Sequence, residues 1–256
     1  MSGRKQVFDV TAPPRIDVTI RSGDVIVGPS EDDTVTVLLS GSAETVESTT
    51  VDATRDSVSV RSRSQRQRWF SSTLDVVISA PPGGSVRVNL GAGEVTIRVP
   101  LMSLGVNTGS GDVRIDSAVD EVRVKVASGD VNIRDTVRDA NIVSASGDIH
   151  VHEARDIAIN TASGAVDLGT VTGTARIKSA SGDLNIHEFR GSDLNVATMS
   201  GNATLGLVPG LSVETTIRTM SGEVRNRIKP SDAEKTRRVV LTVKSFSGDV
   251  TLRAPW

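Results

Sequence analysis

The 256-residue chain has no cysteine and no tyrosine, and aromatic residues make up only 2% of it. Without cysteine there can be no disulfide, no thiolate metal ligand and no thiol nucleophile. The scarcity of rings argues against sugar-stacking grooves and against nucleic-acid platforms, which need exposed aromatic faces. Charge is almost balanced, with 29 Lys and Arg against 31 Asp and Glu and a net charge of −2, so no global field draws the chain to nucleic acid or anionic lipid. No run of 18 apolar residues occurs, so no transmembrane helix is expected. Met1 to Val10 carries Arg4 and Lys5 but no apolar stretch of secretory type, and the expectation from sequence is a soluble cytoplasmic protein.

What the chain does have is a repeat. Ser-Gly-Asp, or a close variant, recurs with its glycine at Gly93, Gly111, Gly129, Gly147, Gly164, Gly182, Gly201, Gly222 and Gly248, in steps of 18, 18, 18, 17, 18, 19, 21 and 26 residues. An earlier copy surrounds Gly23. A fixed step of this size signals a solenoid, in which each coil buries its apolar face only against its neighbours. Five residues before each of the nine glycines stand Val88, Val106, Val124, Ile142, Ile159, Ile177, Val196, Ile217 and Val243, all β-branched. Apolar residues also dominate seven before, two after and four after, with Thr215, Ala203 and Asn226 among the weaker members. Pairs of apolar residues two apart describe short strands pointing alternate side chains inward. A looser column at Val119, Val137, Ala154, Val171 and Phe189 adds a third face.

These columns predict an all-β fold, a parallel β-solenoid of right-handed β-helix or β-roll type with about 18 residues per coil. Left-handed hexapeptide helices place aliphatics every six residues, and the inward pairs here are nine apart. Residues 1–80 read as an irregular β section continuous with the solenoid, and residues 81–256 as its regular part. In the irregular part, alternations at Val35-Val37-Leu39, Val58-Val60 and Val76-Ile78 suggest further strands, either with irregular corners or as an antiparallel hairpin. Helical periodicity is absent throughout. Pro230 to Arg238 and terminal Trp256 are placed to shield the C-terminal end of a stack.

The corner itself has a structural explanation. Glycine reaches positive φ without strain, and flanking serine and aspartate can hydrogen-bond the turn's own backbone. The competing idea is a cation ladder built on Asp112, Asp130 and Asp148, but Ala165 and Asn202 interrupt that column. Of the three histidines, His152 and His187 share a column with Gly169 between them, about 10 Å apart at strand spacing and too far to share a metal. His150 falls beside Asp167, with Glu153 nearby, as residues of a polar face. No catalytic, cofactor-binding or metal-ligating set emerges, no cofactor is implied, and the chain reads as a non-enzyme.

One segment is chemically unusual: Arg61, Arg63, Arg66 and Arg68, followed by Trp69 and Phe70. Four cations beside two rings form the candidate contact surface for a protein or surface partner, in a monomer or small homo-oligomer; nucleic acid is disfavoured.

The Ser-Gly-Asp repeat, with a start near Phe8 and Ile16-Asp17-Val18, resembles a bacterial family known as "putative adhesins", over Phe8 to Arg253. The resemblance implies a solenoid of β-strand repeats and supplies no catalytic residue. The functional expectation is a binding or scaffold module. The alternatives are a self-assembling, cytoskeleton-like structural protein and a carbohydrate-active or metal-dependent enzyme.

Overall fold

Side chains that alternate between inward and outward give strands, and strands too short to bury a face alone must stack. The computed structural model describes residues 2–10, 13–62, 73–208, 211–228 and 237–255, and it is all-β and β-solenoid-like. The chain forms two compact units, Met1–Gly129 and Asp130–Trp256. Among the described residues, no helix is long and apolar enough to cross a membrane.

The first unit runs β1 (Ser2–Asp9), β2 (Arg15–Ser22), β3 (Val25–Pro29), β4 (Thr34–Gly41), α1 (Ala43–Ser48), β5 (Thr49–Ala53), β6 (Ser57–Ser62) and β7 (Leu74–Ala80). It continues with β8 (Gly84–Ala92), β9 (Val95–Ile97), β10 (Leu101–Ser110), β11 (Val113–Ile115) and β12 (Val119–Ser128). Parallel pairing links β6, β2, β8, β10 and β12 in that order, with Val18 between Val60 and Val88, and Val106 beside Val124. A second parallel ladder runs β7, β3, β9, β11, so the 70 residues separating Gly23 from Gly93 amount to one coil-to-coil contact. The inward register read from sequence holds: Val88, Val106 and Val124 are buried, while Lys125 is exposed.

The intervening segment does two things with its alternating residues. β7 continues the parallel ladder and also pairs antiparallel with β4, which pairs antiparallel with β1. β5 and β6 form an antiparallel hairpin, Val51 opposite Val60. The sequence suggested no helix, yet α1 forms a short one. Ser42 caps it by accepting from the Thr45 amide at 3.2 Å, and the Thr49 hydroxyl closes the far end on the Thr45 carbonyl at 2.7 Å. Six residues are too few to show a helical period, so only the cap could have announced it.

The second unit runs β13 (Val131–Ser146), β14 (Ile149–Thr161), β15 (Val166–Val171), β16 (Thr174–Ser181), β17 (Leu184–Phe189) and β18 (Asp193–Ser200). Then come β19 (Ala203–Leu207), β20 (Leu211–Ser221), β21 (Val224–Asn226), β22 (Arg237–Ser247) and β23 (Val250–Arg253). Its strands pair in parallel, Val131 beside Ile149 and Ile159 beside Ile177. At the end, stacking order departs from chain order. β18 pairs with β22, not β20, and β20 then pairs with the other side of β22. The columns explain the choice. The β22–β23 coil offers Leu241, Val243, Val250 and Leu252, all buried, and suits a place with neighbours on both sides. The β20–β21 coil carries Thr215 and Asn226 at the same positions and takes the edge, where both are exposed. Of the segment 230–238 and Trp256, expected to shield this end, residues 230–236 and Trp256 lie outside the described residues, while Arg237 and Arg238 open β22 and pair with β20.

All ten repeat glycines have positive φ, from 116° at Gly164 to 141° at Gly222. Position matters as much as conformation: a Cβ built on Gly111 would fall onto the backbone carbonyl of Gly93. The sequence pointed the aspartates at their own turn, and several of them bond the next coil. Asp24 Oδ1 accepts from the Glu94 amide at 2.9 Å, Asp148 Oδ1 from the Ala165 amide at 2.8 Å and Asp183 Oδ1 from the Asn202 amide at 2.7 Å. Asn202 takes the same role with its Oδ1 on the Asp249 amide at 3.0 Å. A turn this tight aims its side-chain oxygen along the stacking direction, within reach of the facing amide.

Gly111→Ala therefore combines a strained φ with an overlap that only coil separation relieves. We expect a loss of about 3 kcal/mol, a drop in Tm of roughly 10 °C in thermal unfolding followed by circular dichroism. Gly28, in β3, has nothing within 4 Å of a built Cβ, and Gly28→Ala should stay within about 1 kcal/mol of wild type.

Candidate functional site

Three regions stand out beyond the repeat, and two of them are built wholly on strands fixed by the ladders. The first begins at Arg61, the residue before the end of β6. Its side chain is exposed, and its carbonyl accepts from the Thr50 hydroxyl at 3.2 Å across the β5–β6 hairpin. Arg63, Arg66, Arg68, Trp69 and Phe70, the rest of the predicted contact surface, lie outside the described residues.

The second region is a polar cluster on the second unit. Register places Asn132, His150, Asp167 and Asn185 in one row across successive strands, with His187 two residues beyond Asn185. His150 Nδ1 lies 3.1 Å from Asp167 Oδ2, and His187 Nε2 lies 2.7 Å from Asp167 Oδ1. Asn185 Nδ2 donates to the same Oδ1 at 3.1 Å. The short contact requires His187 Nε2 to carry the proton, so the 3.0 Å approach of Asn185 Nδ2 to that nitrogen is a contact of two donors and no bond. The carboxylate of Asp167 is thus engaged on both sides by groups from the coils below and above. His152, in the column beside it, is exposed. Among the described residues, no group of three or more His, Cys, Asp or Glu is placed to hold a metal ion.

Ion pairs of similar character recur outward. Arg190 reaches Glu188 at 2.7 Å, and Arg225 bridges Glu223 and Asp249. The Arg190 guanidinium is held charged more firmly than usual, first by its hydrogen bond to Glu188. The Asp carboxylates that the cation-ladder idea invoked accept backbone amides from the next coil, at Asp130 and Asp148 by 2.8 Å bonds.

The third region was not singled out from the sequence. Met199, Phe246 and Met220 stand two residues before their corner glycines and are 64%, 57% and 78% exposed. Pairing of Ser200 with Ser247 and of Ser247 with Ser221 sets the three in one row across β18, β22 and β20. A signal for it existed: the same column holds Gly91, Gly109, Ala127, Ala145, Ala162 and Ala180 before it turns to large apolar residues. An outward column of small residues that becomes large is anomalous.

Asp156, within β14, illustrates the pH behaviour of a carboxylate bonded to the next coil. Its Oδ1 accepts from the Thr174 hydroxyl at 2.7 Å and the Thr174 amide at 2.8 Å. The hydroxyl bond is the main reason its carboxyl sits below the ordinary value of 3.8, against a partial desolvation that works the other way. A lowered folded pKa stabilises the fold above the unfolded value and loses that contribution as pH falls through the folded one. The Tm of wild type should exceed that of Thr174→Val at pH 7, and the gap should close as the pH is lowered below 3.8. A gap unchanged at pH 2 would contradict this assignment.

Comparison with known proteins agrees with the architecture. Among solved structures, a "putative adhesin" from Parabacteroides distasonis is 11% identical, with a TM-score of 0.53 and coverage of 98% of this chain and 97% of that one. A "putative adhesin" from Bacteroides fragilis is 13% identical, with a TM-score of 0.44 over 98% of this chain and 97% of that one. A "putative lipid binding protein" from P. distasonis is 9% identical, with a TM-score of 0.38 over 97% of this chain and 96% of that one. The first of these likenesses, at 11% identity and a TM-score of 0.53, speaks to fold alone. No curated protein matches the chain. The family model described as Toastrack DUF4097 matches residues 14–253, which bears out the resemblance read from the repeats, and the chain belongs to that family.

Proposed function

We propose that this protein is a non-enzymatic binding or scaffold module that presents fixed rows of side chains to a protein or surface partner. The observation that carries the reading is the corner. Each described strand is tied to its neighbours by backbone ladders, and carboxylates that could do other work accept amides of the next coil. Outward side chains then stand on a frame that does not depend on them. In this reading the chain is a right-handed β-solenoid of about 18 residues per coil, with an irregular section over residues 1–80 followed by regular coils over residues 81–256. Supporting the coil length are the 18-residue offsets of Val106 from Val124 and Val131 from Ile149. Supporting the hand is the general preference of parallel strand connections for right-handed crossings.

Arg61, Arg63, Arg66, Arg68, Trp69 and Phe70 are the proposed contact surface of the module. Arg61 supports this by standing exposed near the end of β6. A second reading, end-to-end self-assembly, draws on β20 and β21, which pair with β22 and β23 on one side only among the described residues. An open strand edge is a template for another strand.

Affinity capture followed by mass spectrometry, with wild type and a variant bearing serine at Arg61, Arg63, Arg66 and Arg68, tests the first reading. Wild type should retain a partner that the variant loses at unchanged Tm, and equal retention would refute the assignment of the segment. Light scattering behind size exclusion over a wide concentration range tests the second. A constant particle mass would rule out assembly through the strand edge.

A further inference from the structure

The row formed by Met199, Phe246 and Met220 has further rows beside it on the same outward face. Two residues upstream, register aligns Lys178, Ala197, Lys244 and Arg218 across β16, β18, β22 and β20. Two residues further upstream the row reads Arg176, Asn195, Thr242 and Thr216. These positions contain four cations and no anion. Arg176 faces Asp193 at 3.7 Å, whereas Lys178, Lys244 and Arg218 are exposed and have no acidic partner among the described residues. Although the whole chain has a net charge of −2, these two rows are locally positive, and carboxylates enter only in the next row, at Asp193 and Glu214.

We propose that this face docks on an anionic lipid bilayer, the Met199–Phe246–Met220 row entering the headgroup boundary and Lys178, Lys244 and Arg218 meeting lipid phosphates. Three features select that occupant. The apolar row lies beside the Ser-Gly corner, so it follows an edge of the coil and can be lowered into an interface while the cations remain at its side. Strand spacing puts successive side chains in a row about 4.8 Å apart, and the two rows about 7 Å apart, close enough for both to touch one headgroup layer. A second copy of the same face is a poorer occupant, since superposing the two cationic rows would set lysine and arginine against their own kind. Interfacial segments combine apolar side chains with Lys and Arg in this manner, and each cation near an anionic surface contributes to binding. Three such cations predict a preference for anionic over neutral vesicles on the order of a hundredfold.

This surface shares no residue with the Arg61–Phe70 segment, and the experiment separates the two. The full chain is sedimented with vesicles of phosphatidylcholine alone or of phosphatidylcholine and phosphatidylglycerol in a 3:1 ratio, in low and high salt. Wild type should bind the mixed vesicles, release in high salt and leave pure phosphatidylcholine vesicles in solution. Binding should fall at least about tenfold in Met199→Ser/Phe246→Ser/Met220→Ser and in Lys244→Glu/Arg218→Glu. Alanine at the three apolar positions provides a milder variant, and thermal melts confirm that each variant folds. No binding to mixed vesicles, equal binding to neutral ones, or unchanged binding in the folded ladder variants would overturn the proposal. So would loss of binding confined to the variant with serine at the four arginines. Saturable binding of a soluble acidic protein to this face, with none to vesicles, would replace lipid with protein as its partner.

Discussion

Coil spacing in each unit depends on glycine meeting glycine. Parallel strands sit about 4.8 Å apart, and at a sharp corner this leaves no room for a Cβ beneath the facing carbonyl. Glycine satisfies both the positive φ and the close approach, as at Gly93 upon Gly23 and at Gly182 upon Gly164. Once the corners are in register, the flanking strands have no freedom to slip, and the aliphatic columns meet face to face. The aspartate that follows adds a directional bond from each corner to the next. Asn202 shows that the role calls for an acceptor oxygen and not for charge.

A frame held by its backbone frees the outer surface to vary. The inward columns are nearly uniform Val, Ile and Leu, whereas outward columns change composition along the stack. In the second unit this produces a His150–Asp167–His187 cluster on one row and an apolar row with cations beside it on another. Neither lines the core or a corner, as Val196 and Gly182 do. Surface rows of this kind are where a binding module acquires a partner, and they are cheap to change.

Much of the fold was legible because it is dictated by local rules. The glycine step marked the corners, and the columns seven and five before and two and four after the glycine, with the looser one that ends at Phe189, marked most of the buried residues; Ile217 and Val224, in the edge coil, are not fully buried. The weak members of those columns, Thr215 and Asn226, also identified the coil at the open edge, once their polarity is read as unfit for two-sided burial. Other features depend on pairings that a single sequence does not encode locally. Placing β22 between β18 and β20, or bringing Gly23 against Gly93, is a choice among edges made by tertiary burial. The destination of the aspartate bonds was missed because the turn and the next coil offer equally plausible amides until the stack exists. The Met199–Phe246–Met220 row was visible as an anomaly in an outward column, but it became a surface only when the stacking order set the three side by side.

Amide hydrogen exchange in Asp148→Ala tests the central claim most directly, because Asp148 Oδ1 receives the Ala165 amide from the next coil at 2.8 Å. The account predicts that exchange at Ala165 accelerates about tenfold while amides inside β14 and β15 keep their protection. Protection at Ala165 equal to wild type would show that the carboxylate does not join the coils, and the glycine contact would have to hold the corner alone.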